Sequence, residues 1–379
     1  MDIAKAQQAL QEARIAGWLL YSFQGSNVLA LEALGLQGRM LSRRFAYLIP
    51  AQGEPVLIVH AIEKTSFPDL PGQKVVFFSW EHFAQALQTH VAPLGRIAME
   101  YHPGGGIPYL SRIDAGTLEL LRGMGLEVVS SAEVLLQFQT WDKAALASHK
   151  RAAAGIAAAL EHALEFVRAR LDGPPTELEV QAQISKVLTS KGLVFDHAAM
   201  VAYGPSAANP HHTAGETRLE RGQVMLLDLW CKEPQGPYAD VTWMAGWEVP
   251  DQVQTAWRVV RDAREAALKL CRQACTQNRV PRGYELDRAA RQVIEQAGMG
   301  AFILHRTGHH LGFSATHGNG THLDDLETHD TRPLIPGLAF TIEPGVYPGP
   351  FGIRSEINVY LHNSGPEVTT VTQTELNPL

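Results

Sequence analysis

Asp228 and Asp240 stand where a soluble chain rarely places charge. Asp228 closes the apolar run Val224–Leu227, and Asp240 precedes Val241-Thr242-Trp243, so each carboxylate borders a strand-like segment. The intervening KEPQGPY carries the prolines and glycine of a turn, which predicts a hairpin with the two aspartates near each other on adjacent strands. Like charges so placed repel, and a buried carboxylate without a partner takes up a proton or finds a cation. No neighbouring Lys or Arg has strand periodicity, so the counter-charge is expected from elsewhere.

Three further ligand-type residues sit in similar contexts. His309 lies in HRTGHHLGF, Glu343 in LAFTIEPGVY and Glu356 in FGIRSEINVY, the last two being acids inside otherwise apolar β runs. Singly, an Asp at a strand end or a Glu before Pro reads as a solvated turn residue, and His309 reads equally well as a core histidine. Together, four carboxylates and one imidazole form an oxygen-rich donor set suited to two divalent cations. With a bridging hydroxide, such a set leaves roughly one net negative charge.

The elements that must hold these residues follow from composition and rhythm. A chain of 379 residues, 45% hydrophobic and 19% charged, is globular and long enough for two domains. Its net charge of -7 and the absence of a dense Lys/Arg run argue against nucleic acid or an anionic membrane surface as partner, leaving a small substrate. The N-terminal stretch reads as a polar helix without signal-peptide features, and no segment is long enough to span a bilayer, so a cytoplasmic location is expected. Cys271 and Cys275, four apart in a helical pattern, read as core residues.

Before about residue 138, short apolar runs such as GWLLYS, FAYLIP and PVLIVH alternate with helical stretches, the pattern of an α/β domain. HPGGGIP at 102–108 lacks the spacing and the Lys-Ser/Thr of a phosphate loop and reads as an irregular connection. After about residue 138 the rhythm changes. An Ala-rich helix runs to about 171, Pro174-Pro175 break it, and Thr176 with Glu179 forms a capping box for the next. Helices at about 251–277 and 284–297 and strands at 198–203, 223–230, 239–247, 338–343 and 354–361 complete an α+β domain with a largely antiparallel sheet.

In order and context, Asp228, Asp240, His309, Glu343 and Glu356 resemble the five metal ligands of the pita-bread metallopeptidases. That group holds methionine aminopeptidase, aminopeptidase P, prolidase and the metal-free creatinase. GPSAANPHH at 204–212, HRTGHHLG at 305–312, TIEPGVY at 341–347 and GIRSE at 352–356 strengthen the likeness, which covers essentially the whole chain. The resemblance implies a pita-bread catalytic domain with a pseudo-two-fold antiparallel sheet over 138–379, preceded by a creatinase-like α/β domain over 1–137. It implies that Asp240 and Glu356 bridge two divalent ions, that Asp228 binds one of them, and that His309 with Glu343 completes the other. Manganese is the first choice, with cobalt, zinc or iron as alternatives. A bridging hydroxide would attack the scissile carbonyl while Glu343 shuttles the proton.

By the same resemblance, His211 matches the histidine beside the scissile amide. Arg354, two residues before Glu356, would share its face on a strand and orient it. Arg354 is also one candidate for the cation that meets a substrate carboxylate; Arg44 is another, if the N-terminal domain of a homodimer partner covers the cleft. The sequence departs from the family at Trp230 and Trp243, where Gly and Arg are common, and its hairpin is about one residue longer than in prolidases. Thr316 stands where a second histidine is usual, which leaves His317, before His322, to reach the substrate. The implied activity is hydrolysis of Xaa-Pro dipeptides; the alternatives are aminopeptidase P action on longer Xaa-Pro peptides and a pita-bread binding protein without catalysis. Methionine aminopeptidase is disfavoured by the large N-terminal domain, and creatinase by the retained ligand set.

Overall fold

Apolar runs with no polar alternation require a sheet covered on both faces, and the first of them, GWLLYS, is buried along its whole length. The computed structural model describes residues 1–379, which divide into two compact units, Met1–Phe138 and Gln139–Leu379. In the first unit, β1 (Gly17–Ser22), β2 (Phe45–Pro50), β3 (Val56–His60), β4 (Gln73–Phe77), β5 (Arg96–Met99) and β6 (Glu127–Ser130) form one mixed sheet in the order β4-β3-β2-β1-β5-β6. Its helices are α1 (Ile3–Glu12), α2 (Val28–Ala33), α3 (Trp80–His90), α4 (Ala115–Gly123) and α5 (Ala132–Gln137). Because side chains alternate along a strand, Trp18 and Leu20 pack with α1, α2 and α5, while Leu19 and Tyr21 pack with α3 and α4. HPGGGIP forms short turns between β5 and α4.

The second unit opens with α6 (Lys143–Arg168) and α7 (Glu177–Ser190). Thr176 Oγ1 accepts the Glu179 N–H at 3.1 Å and the Glu179 carboxylate accepts the Thr176 N–H at 2.7 Å. A cap of this kind contributes about 1 kcal/mol. There follow β7 (Met200–Tyr203), β8 (Val224–Cys231), β9 (Ala239–Gly246), α8 (Asp251–Thr276) and α9 (Gly283–Gln296). The chain ends with β10 (Ala339–Ile342), β11 (Gly345–Val346), β12 (Ile353–Arg354), β13 (Ile357–His362), β14 (Gly365–Val368) and β15 (Asn377–Pro378). The plan repeats itself: a helix pair followed by antiparallel strands, then a second helix pair followed by more strands. On α8, Cys271 is buried and Cys275 half-buried; burial raises the Cys271 thiol to about 12, in keeping with a core residue. No helix is long and apolar enough to cross a membrane.

The sheet differs in detail from the sequence expectation. It is laid out as three ladders, β15-β9-β8-β7, β10-β13-β14 and β11-β12, and β15 runs parallel to β9. The strand expected over 354–361 is interrupted at Ser355-Glu356, because β12 pairs with β11 whereas β13 pairs with β10. The strand expected over 338–343 stops at Ile342, so Glu343 lies outside the ladder, followed by Pro344, which has no N–H to give one. Both acidic residues therefore sit where backbone pairing changes.

Candidate metal centre

The β8–β9 hairpin sorts its residues by face. Met225, Leu227, Leu229 and Cys231 of β8 join Ala239, Val241 and Ala245 of β9 in the core against α6 and α7. The alternate residues face the other way. In the register, Asp228 lies opposite Thr242 and Trp230 opposite Asp240, so the two aspartates are diagonal neighbours on one face. Asn358 of β13 fixes Asp240: its Oδ1 accepts the Asp240 N–H at 3.0 Å and its Nδ2 donates to the Asp240 carbonyl at 2.5 Å.

His309 reaches the same place from the opposite half. Its backbone donates to Thr341 Oγ1 at 2.9 Å and accepts from the Thr341 N–H at 2.8 Å. This approach needs glycine at 308, since a Cβ there would lie 2.1 Å from the Thr341 carbonyl oxygen. His309 Nδ1–H donates to the His310 carbonyl at 3.1 Å, which leaves the Nε2 lone pair directed inward. Nε2 is 3.4 Å from both Asp240 Oδ2 and Glu343 Oε1.

Ligand atoms of Asp240, His309 and Glu356 all lie within 4.8 Å of one another, and all three residues are buried. Asp240 Oδ1 and Glu356 Oε1 are buried without a hydrogen-bond partner. Burial first, then Asp228 and Glu343, raises the Asp240 carboxyl well above the usual range; burial first, then Asp240 and Glu343, does the same to Glu356. Glu343 is raised to about 7 by burial, with Arg354 opposing. Burial, followed by the neighbouring His317, lowers His309, so its ring is neutral and its lone pair is free to coordinate. A set of inward carboxylate oxygens short of positive charge, beside an unprotonated imidazole, fits a divalent cation.

Asp228 is placed differently. Its Oδ2 accepts from Arg354 Nη2, while Arg354 Nε donates to Thr242 Oγ1 at 2.8 Å and Thr242 Oγ1 donates to Glu356 Oε2 at 2.9 Å. Arg354 is 4% exposed, with its donors turned toward Asp228, Thr242 and Tyr347. The carboxylate it touches directly is therefore Asp228, not Glu356, because the strand is interrupted at Ser355 and the hydrogen bonds reach Glu356 through Thr242. Thr242 and Asn358 were not singled out in the sequence. Thr242 had a signal, lying two residues beyond Asp240 on the same strand face; Asn358 had none.

The histidines divide by exposure. His317 is exposed and lies against His309, ring centroids 3.9 Å apart. Close packing around it, followed by the Arg306 charge, pushes it down to about 4. His322 is 2% exposed; its Nδ1 accepts the His310 N–H at 3.1 Å and its own N–H donates to Asp330. His211 is exposed on the loop after β7, near enough to help lower both His305 and His317. His305, also missed in the sequence, shares a 2.7 Å hydrogen bond with the Tyr347 hydroxyl. Trp230 is half-buried on the face of the aspartates and donates to Asp196 Oδ1 at 2.7 Å. Arg44 belongs to the first unit, its guanidinium 5.9 Å from the ring centroids of Phe23 and Phe83.

Comparison with known proteins gives this geometry a context. Over 383 aligned residues the chain is 25% identical to the "Probable dipeptidase PepE" of Mycobacterium tuberculosis, covering 96% of this chain and 92% of that protein. Among solved structures it is similar to dipeptidase PepE from Mycobacterium ulcerans, with a TM-score of 0.73 and 24% identity over 100% of this chain and 97% of the other. An Xaa-Pro dipeptidase from Bacillus anthracis superposes with a TM-score of 0.65 and 23% identity, covering 100% of this chain and 99% of that one. These likenesses show an N-terminal α/β domain followed by a pita-bread domain. The family model described as metallopeptidase family M24 matches residues 147–363, a span that includes the hairpin aspartates, the paired histidine loop and both glutamates, and the chain belongs to that family.

Proposed function

We propose that this protein is a dipeptidase that hydrolyses Xaa-Pro dipeptides at the imide bond, with two divalent cations held by Asp228, Asp240, His309, Glu343 and Glu356. The observation that carries the reading is the buried Asp240–His309–Glu356 group with its two unpartnered carboxylate oxygens. The full-length similarity to a dipeptidase and the fold shared with an Xaa-Pro dipeptidase support the substrate class. When bound, the metals supply a water that is nucleophilic at neutral pH and polarise the scissile carbonyl.

The chain's own residues then act around that centre. Arg354 and Thr242 hold Asp228 and Glu356 in place, and Asn358 holds the backbone of Asp240. Glu343, 3.4 Å from His309 and held by the Thr341 hydroxyl at 3.0 Å, takes the proton of the attacking water and returns it to the leaving nitrogen. That nitrogen is tertiary in an Xaa-Pro bond and carries no N–H, so it must receive a proton to leave. His211, exposed on its loop, steadies the leaving side.

Turnover of Xaa-Pro dipeptides, matched Xaa-Pro-Yaa tripeptides and dipeptides without proline, after chelation and re-addition of manganese, cobalt, zinc or iron singly, tests the proposal. Dipeptides with proline should be fastest. Faster cleavage of the tripeptides would replace the dipeptidase reading with aminopeptidase P, and absence of metal binding would remove the enzyme reading altogether.

A further inference from the structure

His317 is delivered to the centre by a tight reversal of its loop. The Gly312 N–H donates to the Thr316 carbonyl at 3.2 Å, the Gly318 N–H donates to the His310 carbonyl at 2.8 Å, and Leu311 and His317 pair across the turn. A Cβ on Gly312 would lie 2.4 Å from the Ala315 carbonyl oxygen, and one on Gly318 would lie 2.2 Å from His310 Nδ1. Glycine at both stems is what lets a histidine displaced by one position come back over His309. On its other side stands Arg306, 8% exposed, with Nη2 3.1 Å from His317 Nδ1 and Nη1 3.9 Å from the buried Asp324 carboxylate.

A guanidinium has only donors, and it stays charged in proteins. The ring nitrogen facing it must therefore offer a lone pair. We infer that Arg306 is a positioning residue that fixes His317 as the Nε2–H tautomer, so that His317 presents a hydrogen-bond donor, and not a base, to an oxygen of the peptide substrate. Moving the proton to Nδ1 would set two donors against each other at 3.1 Å. A ring with its proton at Nε2 has no lone pair there to take another, which leaves proton transfer to Glu343 and His211. What it can do is steady a carbonyl oxygen as that oxygen gains charge. The substrate half of this inference rests on the peptidase reading; the tautomer does not.

The test is a tautomer measurement on the zinc-loaded protein, zinc being diamagnetic. With histidines labelled in nitrogen-15, the long-range proton–nitrogen correlations of His317, identified by their loss in His317→Gln, show which nitrogen carries the proton. A protonated Nε2 and a lone-pair Nδ1 are expected, changing to a mixture in Arg306→Met, with zinc content unchanged. Dipeptide kcat should fall in Arg306→Met by roughly two- to fivefold, in step with the share of His317 that loses its Nε2 proton. Arg306→Lys, which restores a donor, should recover the tautomer and much of the rate. A protonated Nδ1 in the unmodified protein overturns the inference, and so does an Arg306→Met variant with tautomer and kcat intact. If Arg306→Met does not fold, the unmodified protein and Arg306→Lys decide it. If no peptide is turned over at all, the peptidase reading fails while the tautomer measurement still judges Arg306.

Discussion

Replacing Glu343 by Gln should stabilise the metal-free protein, and metal should erase most of that advantage. Glu343 is raised from 4.5 to about 7, chiefly by burial. A carboxyl whose folded pKa lies above its unfolded value favours the fold fully below about 4.5 and loses that contribution as pH rises through about 7. At roughly 1.4 kcal/mol per tenfold, the loss amounts to about 3 kcal/mol above neutrality. Gln keeps the shape and never ionises, so it escapes the loss. For a unit of this size, at about 2–4 °C per kcal/mol, the chelated variant should melt roughly 6–12 °C above chelated wild type near pH 8. Near pH 5 the gap should shrink, because wild-type Glu343 is then largely protonated. Manganese at about a hundredfold excess over its Kd should stabilise wild type by about 2.7 kcal/mol and the variant by much less, since a donor is lost. Thermal unfolding of both proteins with chelator and with manganese, at the two pH values, reads all of this. A chelated variant less stable than wild type, or a gap indifferent to pH, would refute the claim that the cluster is strained by unpaired negative charge.

Four other substitutions separate roles within the site. Asp240→Ala should remove most of the bound metal and lower kcat by more than about a hundredfold, since even outer partners of metal ligands are worth 10- to 100-fold; metal analysis beside peptide turnover checks it. His317→Ala should lower kcat and retain metal, whereas His322→Ala should cost about 1–3 kcal/mol of stability by leaving the buried His310 N–H without its acceptor, and denaturant unfolding tells them apart. Trp230→Gly should enlarge the cleft beside the aspartates and raise kcat/KM for Phe-Pro relative to Gly-Pro by roughly 10-fold or more, the scale on which pocket volume discriminates; an unchanged ratio would exclude the indole from the specificity wall.

Much of the architecture was legible because it depends on local repetition. The capping box Thr176–Glu179 and the helices over α8 and α9 follow from spacing within one or two turns, and the turn residues of KEPQGPY predict the hairpin that brings Asp228 and Asp240 near each other. The breaks at Glu343 and Glu356 were not legible. Each depends on which strand pairs with which, and apolar sequence on both sides reads as one continuous strand.

Which carboxylates and imidazoles the chain can offer, and in what order, is written in the sequence, because residue type and strand period are local properties. How those atoms share space depends on packing. Arg354 meets an aspartate 126 positions away, and Asn358 clamps a backbone 118 positions away, through contacts that no spacing encodes. The choice between His317 and His322 rested on how a glycine-lined loop absorbs one extra residue; the fold turns one ring outward over His309 and buries the other beneath the His310 backbone. Whether a carboxylate is a ligand or a solvated turn residue is a matter of burial and of charges arriving from distant segments, and those are set only when the chain has packed.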